Sequence, residues 1–263
     1  MKTLIITGIS GSLGSKILKS FYGKYNIIGI CRNEYNAWKL KQQYPKVKYM
    51  LCDIRTVDIP ECDYIINTAA MKHVSSGHDN IDECIDINIR GLQNIVNQAV
   101  DKCRIKFIQI SSDKAVQAVN VYGATKYIGE EYVLNANRKK PIFNICRFGN
   151  LFGSSGTIVE ILKNEHEEHK LTDINARRYF ITFSEAIKLI KKAMKSKAGS
   201  VIYKKCKVMY IIDLIKAIKG QDADYEIVGL RPGEKLMEKM SIDDNIEACE
   251  YYSMDEIKEL LNE

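Results

Sequence analysis

Between Ser112 and Lys126 the chain gathers five groups that can move protons: Ser112, Asp113, Lys114, Tyr122 and Lys126. The first three put a hydroxyl, an acid and an amine in consecutive positions. They stand just past an apolar run, Ile105, Phe107, Ile108 and Ile110, that reads as a strand. Tyr122 and Lys126 are four apart, so a helix opening near Tyr122 sets both on one face with their polar tips in one pocket. A cation beside a phenol favours tyrosinate, and so turns a group of ordinary pKa, roughly 10, into a usable base near neutral pH. An isolated Tyr-x-x-x-Lys is more often a tyrosine beside a solvated lysine. What precedes it in the chain decides between the two readings.

What precedes it is a nucleotide fingerprint in the right place. Leu4-Ile5-Ile6 is a buried-strand signal that runs into Thr7-Gly8-Ile9-Ser10-Gly11-Ser12-Leu13-Gly14 and then into a helical pattern at Leu13, Ile17, Leu18 and Phe21. Gly8 permits a tight turn, Gly11 lets backbone approach a pyrophosphate, and Gly14 lets the helix pack closely on the sheet with its N-terminus toward the anion. Three glycines alone are weak evidence; the strand before and the helix after make the match strong. A second strand, Ile27 to Ile30, ends at Arg32, where the adenosine ribose of a dinucleotide falls. An arginine there suits the 2′-phosphate of NADP, with NAD the less favoured cofactor and a solvated Arg32 the competing reading. A third strand (47–51) leads to Asp53-Ile54, placed to read an adenine edge, and a fourth (64–66) to Asn67-Thr68-Ala69-Ala70, whose small side chains let a cofactor lie on the backbone.

A helical pattern from Asp79 to Lys102 carries Asn88 among apolar neighbours, a buried amide that needs a hydrogen-bond partner. The strand and helix of the Ser112–Lys126 region follow, then a strand at 142–146 ending at Arg147 to Asn150. This alternation predicts an α/β fold, a Rossmann-type doubly wound parallel sheet with ligands at the carboxyl ends of its strands. Leu151 to Gly156, rich in glycine and serine, breaks the rhythm. It divides an expected NADP-binding domain (1–150) from a smaller α/β region (151–263) that is mainly substrate-binding, part of 171–203 packing back on the first. In the second region the expected elements are a helix at 158–168, an irregular 171–183 carrying Arg177 and Arg178, a helix at 184–197, a strand at 201–203, a helix at 211–218, a strand near 225–228 and a terminal helix from Met254. Arg178 and Arg231 are its best anion ligands.

The whole chain limits the function classes. Its 263 residues with 46% hydrophobic content can bury one large domain or one and a half. No apolar run approaches membrane-spanning length and Leu4 follows Met1 almost directly, which predicts a cytoplasmic protein without a membrane partner. Eight scattered cysteines, with no metal-ligand spacing, read as reduced thiols, with no metal site and no disulfide framework. A net charge of +6 is spread along the chain; it fits small anionic ligands and gives no nucleic-acid footprint.

These residues resemble the extended short-chain dehydrogenase/reductases, and within them the UDP-N-acetylglucosamine 4,6-dehydratases of the C5-inverting type that serve polysaccharide and nonulosonic acid biosynthesis. The marks are Thr7-Gly8-x-x-Gly11-x-x-Gly14, Ala69 to Val74, Ser112-Asp113-Lys114-Ala115, Asn120 to Lys126, Arg147-x-Gly149-Asn150, Arg178 to Thr182 and Arg231-Pro232-Gly233-Glu234-Lys235. Asp113-Lys114 discriminates best. The resemblance implies Ser112, Asp113, Lys114, Tyr122 and Lys126 as catalytic residues. It implies Thr7, Gly8, Ser10, Gly11, Ser12, Leu13, Gly14, Arg32, Asp53, Ile54, Ala69, Ala70, Lys72, Tyr122 and Lys126 around NADP. For the UDP-sugar it implies Lys72, His73, Asn150, Arg178, Arg231 and Glu234. The implied reaction converts UDP-GlcNAc to UDP-2-acetamido-2,6-dideoxy-β-L-arabino-hex-4-ulose, hydride passing from C4 to the cofactor and back to C6. A homo-oligomer, dimer or hexamer, is also implied. Two departures bear on the substrate: Asn67 stands where the family commonly has histidine, and Ser155 where it commonly has arginine. A C4 epimerase using only Ser112, Tyr122 and Lys126, or a catalytically silent NADP-binding module, are the alternatives, and another UDP-hexose stays open as substrate.

Overall fold

The computed structural model describes residues 1–164, 169–244 and 248–262. The first half alternates as the periodicity predicts: β1 (Thr3–Thr7), α1 (Ser12–Phe21), β2 (Asn26–Cys31), α2 (Glu34–Gln43), β3 (Lys48–Leu51) and β4 (Cys62–Asn67). Then come α3 (Val74–Asp79), α4 (Ile81–Ile85), a π-helical segment (Asp86–Gly91), α5 (Leu92–Lys102), β5 (Cys103–Ser112), a 3-10 turn (Asp113–Ala115), α6 (Val121–Ala136) and β6 (Phe143–Phe148). The remainder holds β7 (Asn150–Leu151), α7 (Ile158–Asn164), β8 (His169–Leu171), β9 (Arg177–Ile181), α8 (Phe183–Lys195), β10 (Val201–Ile202), β11 (Val208–Tyr210), α9 (Ile211–Lys219), β12 (Tyr225–Ile227) and α10 (Met254–Asn262).

Seven strands form one parallel sheet in the order β10-β6-β5-β4-β1-β2-β3. The winding direction reverses between β1 and β4, and that switch point is where an open α/β sheet leaves a crevice at its strand carboxyl ends. Both faces are covered by apolar side chains. One core packs Ile17, Leu18 and Phe21 of α1 and Ala186, Leu189 and Ile190 of α8 on the sheet, and the other packs Leu92, Ile95, Val96 and Val133. Buried area of this kind, worth about 25 cal/mol per Å², is what holds helices of ordinary propensity in place.

After residue 150 the chain divides its packing. Helix α8 and strand β10 belong to the main sheet, and Asn144 of β6 donates to Ala193 O at 2.9 Å. The rest has a third core, Phe152, Val159, Leu162, Leu171, Phe180, Leu214 and Ile257, with a small sheet β11-β9-β7 and the pair β12-β8.

Three expectations need correction. The pattern from Asp79 to Lys102 is not one helix: the helix begins earlier, at Val74, breaks at Asn80 and passes through the π segment. Residues 171–183 are not irregular, because Arg177–Ile181 hydrogen-bond as the central strand between β11 and β7. The helix read at 184–197 runs from Phe183 to Lys195, closed at its start by a capping box between Thr182 and Glu185. The end of the helix read at 158–168, residues 165–168, lies outside the described residues.

Candidate active site

The glycine turn is built for a guest that approaches backbone. Gly8 has φ +63°, and a side chain at Gly14 would put its Cβ 2.2 Å from Gly8 O. The turn closes with Gly11 N–H donating to Gly8 O at 2.9 Å, after which α1 starts with Gly11 as its N-cap and no side chain covering the first amides. Those free amides and the glycine cradle fit a dinucleotide pyrophosphate. Under the turn lies a buried polar chain linking three strands: Thr7 Oγ1 donates to Asn67 Oδ1, Asn67 Nδ2 to Gln109 Oε1 at 2.7 Å, and Gln109 Nε2 to Ile110 O at 2.9 Å. Asn67 therefore works as a strand-to-strand linker at the switch point. Thr7 Oγ1 also accepts from Ala69 N–H at 3.2 Å, which holds the Ala69-Ala70 backbone beside Gly8.

At the adenosine end, Arg32 reaches Asp53 Oδ2 at 3.4 Å and Glu83 Oε1 at 3.6 Å, while Arg55 grips Asp53 with Nε and Nη2 and Glu83 with Nη1. The Arg55 hydrogen bonds hold the Asp53 carboxyl below its ordinary pKa. Arg32 is 57% exposed in its side chain and so can turn to a ligand; Ile54 is buried in the core against Gly91. Ser10 meets the Cys31 thiol, and Leu13 is part of the core under α1.

The 3-10 turn after β5 assembles the proton-moving groups. Ser112 Oγ donates to Asp113 Oδ1 at 2.8 Å, and Lys114 Nζ donates to the same oxygen at 3.2 Å. Asp113 is fully buried, and its Oδ2 meets no hydrogen-bond partner among the described residues. A carboxylate oxygen is rarely left so; here it is enclosed by protein as well as unpartnered, and neighbouring side chains must shift before a ligand hydroxyl can reach it. Helix α6 starts at Asn120, whose side chain accepts from Gly123 N–H at 2.8 Å, and so brings Tyr122 against Ser112. Lys126 Nζ lies 5.9 Å from the Tyr122 ring centre and donates to Ile110 O at 3.3 Å.

The electrostatics differ from the simple cation-and-phenol expectation. Burial raises the Tyr122 phenol well above its ordinary value, with Asp113 adding to the rise and the Ser112 hydrogen bond opposing it. Burial also lowers Lys126 to about 8, against a smaller pull upward from Glu130. Desolvation wins because both groups are almost fully enclosed, and at neutral pH the phenol keeps its proton.

Asn88, in the π segment, meets its need for partners by bracketing one residue. Its Oδ1 accepts from Met71 N–H at 2.8 Å and its Nδ2 donates to Met71 O at 3.0 Å and to Thr125 Oγ1 at 3.1 Å. It thus ties the loop after β4 to the turn of α6 that bears Tyr122 and Lys126. Single-turn π segments of this sort recur at functional sites.

The other expected ligand residues fall into two groups. Lys72 donates to Ser155 O and Ser155 N–H to Ser12 Oγ at 3.1 Å, so the Gly153–Gly156 loop crosses from the glycine turn to Lys72. Burial lowers both Lys72 and His73, and His73 lies against Gly156. Ser155 is therefore on the glycine-turn side of the crevice. Farther along, Arg178 pairs with Glu234 at 2.8 Å, Glu234 also accepts from Thr172 at 3.0 Å and from Arg231 N–H at 3.3 Å, and the Arg231 side chain is exposed. Asn150 sits in β7, paired with Phe180. Sequence reasoning gave Lys235 no role beyond its place in the Arg231–Lys235 motif and missed Glu238, which stands beside Lys114: Glu238 is 3% exposed, its Oε1 4.0 Å from Lys114 Nζ and its Oε2 2.8 Å from Lys235 Nζ. The available signal was a lone carboxylate between Met237 and Met240.

An uncharacterized membrane protein of Methanocaldococcus jannaschii is 33% identical, over 98% of this chain and 84% of its own. An inverting UDP-N-acetylglucosamine 4,6-dehydratase of Campylobacter jejuni is 32% identical, over 93% of this chain and 78% of its own. Among solved structures, Pen from Bacillus thuringiensis superimposes with a TM-score of 0.83 at 31% identity, over 89% of this chain and 82% of that one. No helix among the described residues is long and apolar enough to cross a membrane. Residues 4–259 match the polysaccharide biosynthesis protein family, and on that match, the relatives and the doubly wound sheet, the chain belongs to this family of extended short-chain dehydrogenase/reductases.

Proposed function

We propose that the chain is a nucleotide-sugar 4,6-dehydratase that inverts C5, acting on UDP-GlcNAc with a tightly held NADP. The observation that carries the reading is the buried Asp113, shared by Ser112 and Lys114 through one oxygen and unpartnered at the other, at the carboxyl end of β5. An epimerase needs only a base at the 4-hydroxyl. An acid and an amine held together next to that base suit removal of a proton and a hydroxyl from adjacent carbons.

Gly8, Gly11, Ser12 and Gly14 hold the dinucleotide phosphates, Arg32 its ribose phosphate, and Ala69, Ala70 and Lys72 its nicotinamide half. A dinucleotide held there would supply the acceptor for hydride from C4 and the donor that returns it to C6. Tyr122 receives the 4-hydroxyl proton once its own has moved on to Lys126 in its neutral-amine form, the form that predominates above about pH 8. Ser112 hydrogen-bonds the 4-oxygen. With a ketone at C4 the C5 proton is acidic; Lys114, having passed its own proton to Asp113 across their 3.2 Å contact, removes it, and Asp113 gives the proton it received to the departing 6-hydroxyl, so that water leaves across C5 and C6. Hydride added at C6 of the resulting enone and a solvent-derived proton taken up on the opposite face of C5 give a 6-deoxy-4-keto sugar of L-configuration. Arg178 and Arg231 bind the UDP phosphates, with Asn150, His73 and Glu234 shaping the same pocket.

The test is incubation of the purified protein with UDP-GlcNAc in heavy water, followed by mass spectrometry and deuterium NMR. The expected product is lighter than substrate by one water before label is counted and carries deuterium at C5. A product of unchanged mass inverted at C4 would replace the dehydratase with the epimerase reading.

A further inference from the structure

Three contacts dock a segment of the second half onto the loop between the 3-10 turn and α6. Asn120 Nδ2 donates to Gly233 O at 2.8 Å, and Gly233 (φ +75°) lies so near that a Cβ there would stand 2.9 Å from Val119 O. Lys235 Nζ donates to Val116 O at 2.9 Å. Glu238 then reaches Lys114 and Lys235 with its two oxygens, at 4.0 and 2.8 Å. Between the first and second contacts the loop is strained: Gln117 takes φ +50°, a conformation that costs a residue with a side chain. The docked segment is what holds that loop in place.

Lys114 is thereby set between two carboxylates. Asp113, fully buried, takes one side at 3.2 Å, and Glu238, 3% exposed, takes the other. A burial this complete is expensive for a carboxylate, and a purely structural link between the halves could be made by apolar residues at lower cost. A charged residue here gives what an apolar one cannot, a second negative charge facing the Lys114 amine, at 4.0 Å too far for a hydrogen bond but near enough to favour one orientation. A lysine amine on a four-carbon stem has many rotamers, and the hydrogen bond to Asp113 with the charge of Glu238 opposite narrows them before substrate arrives.

We propose that Glu238 is a positioning residue for Lys114, holding its amine opposite Asp113 and aimed at C5 of the sugar, with Lys235 fixing Glu238 in turn. The inference rests on the reading of Lys114 as the C5 base. It separates two stages of one reaction: oxidation at C4, which depends on Tyr122 and Lys126, is not slowed by loss of Glu238, whose charge only adds to the burial that raises the Tyr122 phenol, and deprotonation at C5 is.

The experiment uses the holoenzyme with UDP-GlcNAc in heavy water. It follows reduced-cofactor absorbance after mixing, deuterium entry at C5, and the thermal midpoint for the wild type, Glu238→Gln, Glu238→Asp, Lys235→Gln and Lys114→Ala. For Glu238→Gln we expect C5 exchange to fall about 10- to 100-fold, the size of a misplacement of about 1 Å, while C4 oxidation stays near the wild-type rate and reduced cofactor accumulates. Glu238→Asp should recover part of the exchange. Exchange at the wild-type rate, or oxidation and exchange falling together, would overturn the proposal. Should Glu238→Gln fail to fold, Lys235→Gln decides: slowed exchange with normal oxidation supports the role, and normal exchange refutes it. Lys114→Ala keeps the two claims apart. If it exchanges C5 normally, the base assignment itself fails; if it is silent while Glu238→Gln exchanges normally, only the role of Glu238 is lost.

Discussion

At the scale of single residues, Lys126 shows stability given up for chemistry. Its amine releases a proton near pH 8 in the folded protein and near 10.5 when exposed, so between those values the unfolded chain holds the extra proton and stability rises with pH. Above about pH 10 the raised Tyr122 works the other way, because the exposed phenol then ionises first. We therefore expect Lys126→Met to be inactive yet more stable than the wild type by about 2 kcal/mol at pH 7, after allowance for the lost bond to Ile110 O. The gap should close as pH approaches 10. Urea unfolding at the two pH values measures it, and an equal gap at both would mean that the buried charge is not its source. The five groups between Ser112 and Lys126 were legible in the sequence because their spacing alone puts them together. Their ionisation was not, since burial is set by residues from the rest of the chain.

At the scale of elements, strands β1, β2, β4 and β5 were legible from short apolar runs ending in glycine or small polar residues, and the order of strands follows from the alternation with helices. The π segment was not, because Ile87, Leu92 and Ile95 fit a regular helix equally well and the extra residue per turn is imposed by what Asn88 must reach. Strand β9 was hidden for a related reason: Arg177 and Arg178 lead it, and its partners are short strands remote in sequence. The cost of the π segment should be visible. Asn88→Ala leaves Met71 N–H and O without their partners in a nearly dry place, and we expect a loss of about 2–4 kcal/mol in unfolding free energy. Dinucleotide affinity should weaken too, because Ala69 and Ala70 precede the freed residue; isothermal titration with NADP is the measurement, and unchanged affinity would confine Asn88 to a structural role.

At the scale of the molecule, a buried ion pair of the first half carries a hydrogen bond to the second. Arg147 of β6 is bidentate to Glu130 of α6 and also donates to Met240 O, and both side chains are nearly inaccessible. Breaking a buried pair from one side strands the other charge, so Glu130→Gln should lose about 3–5 kcal/mol, seen as a lower urea midpoint. A loss under 1 kcal/mol would show that water reaches Arg147. Nothing in the local sequence announced this junction or the docking of Glu238 on Lys114, since each joins positions far apart in the chain.

That separation has a consequence in time. Lys114 leaves the ribosome long before Glu238, by on the order of ten seconds at ordinary rates of synthesis. During that interval the Ser112–Lys126 stretch has neither Lys235 nor Glu238 to hold the Gln117 loop in its strained form. A nascent chain can complete the glycine turn and greet a dinucleotide well before it can brace the amine of Lys114, so the order of synthesis lets the cofactor be acquired first and the braced site last.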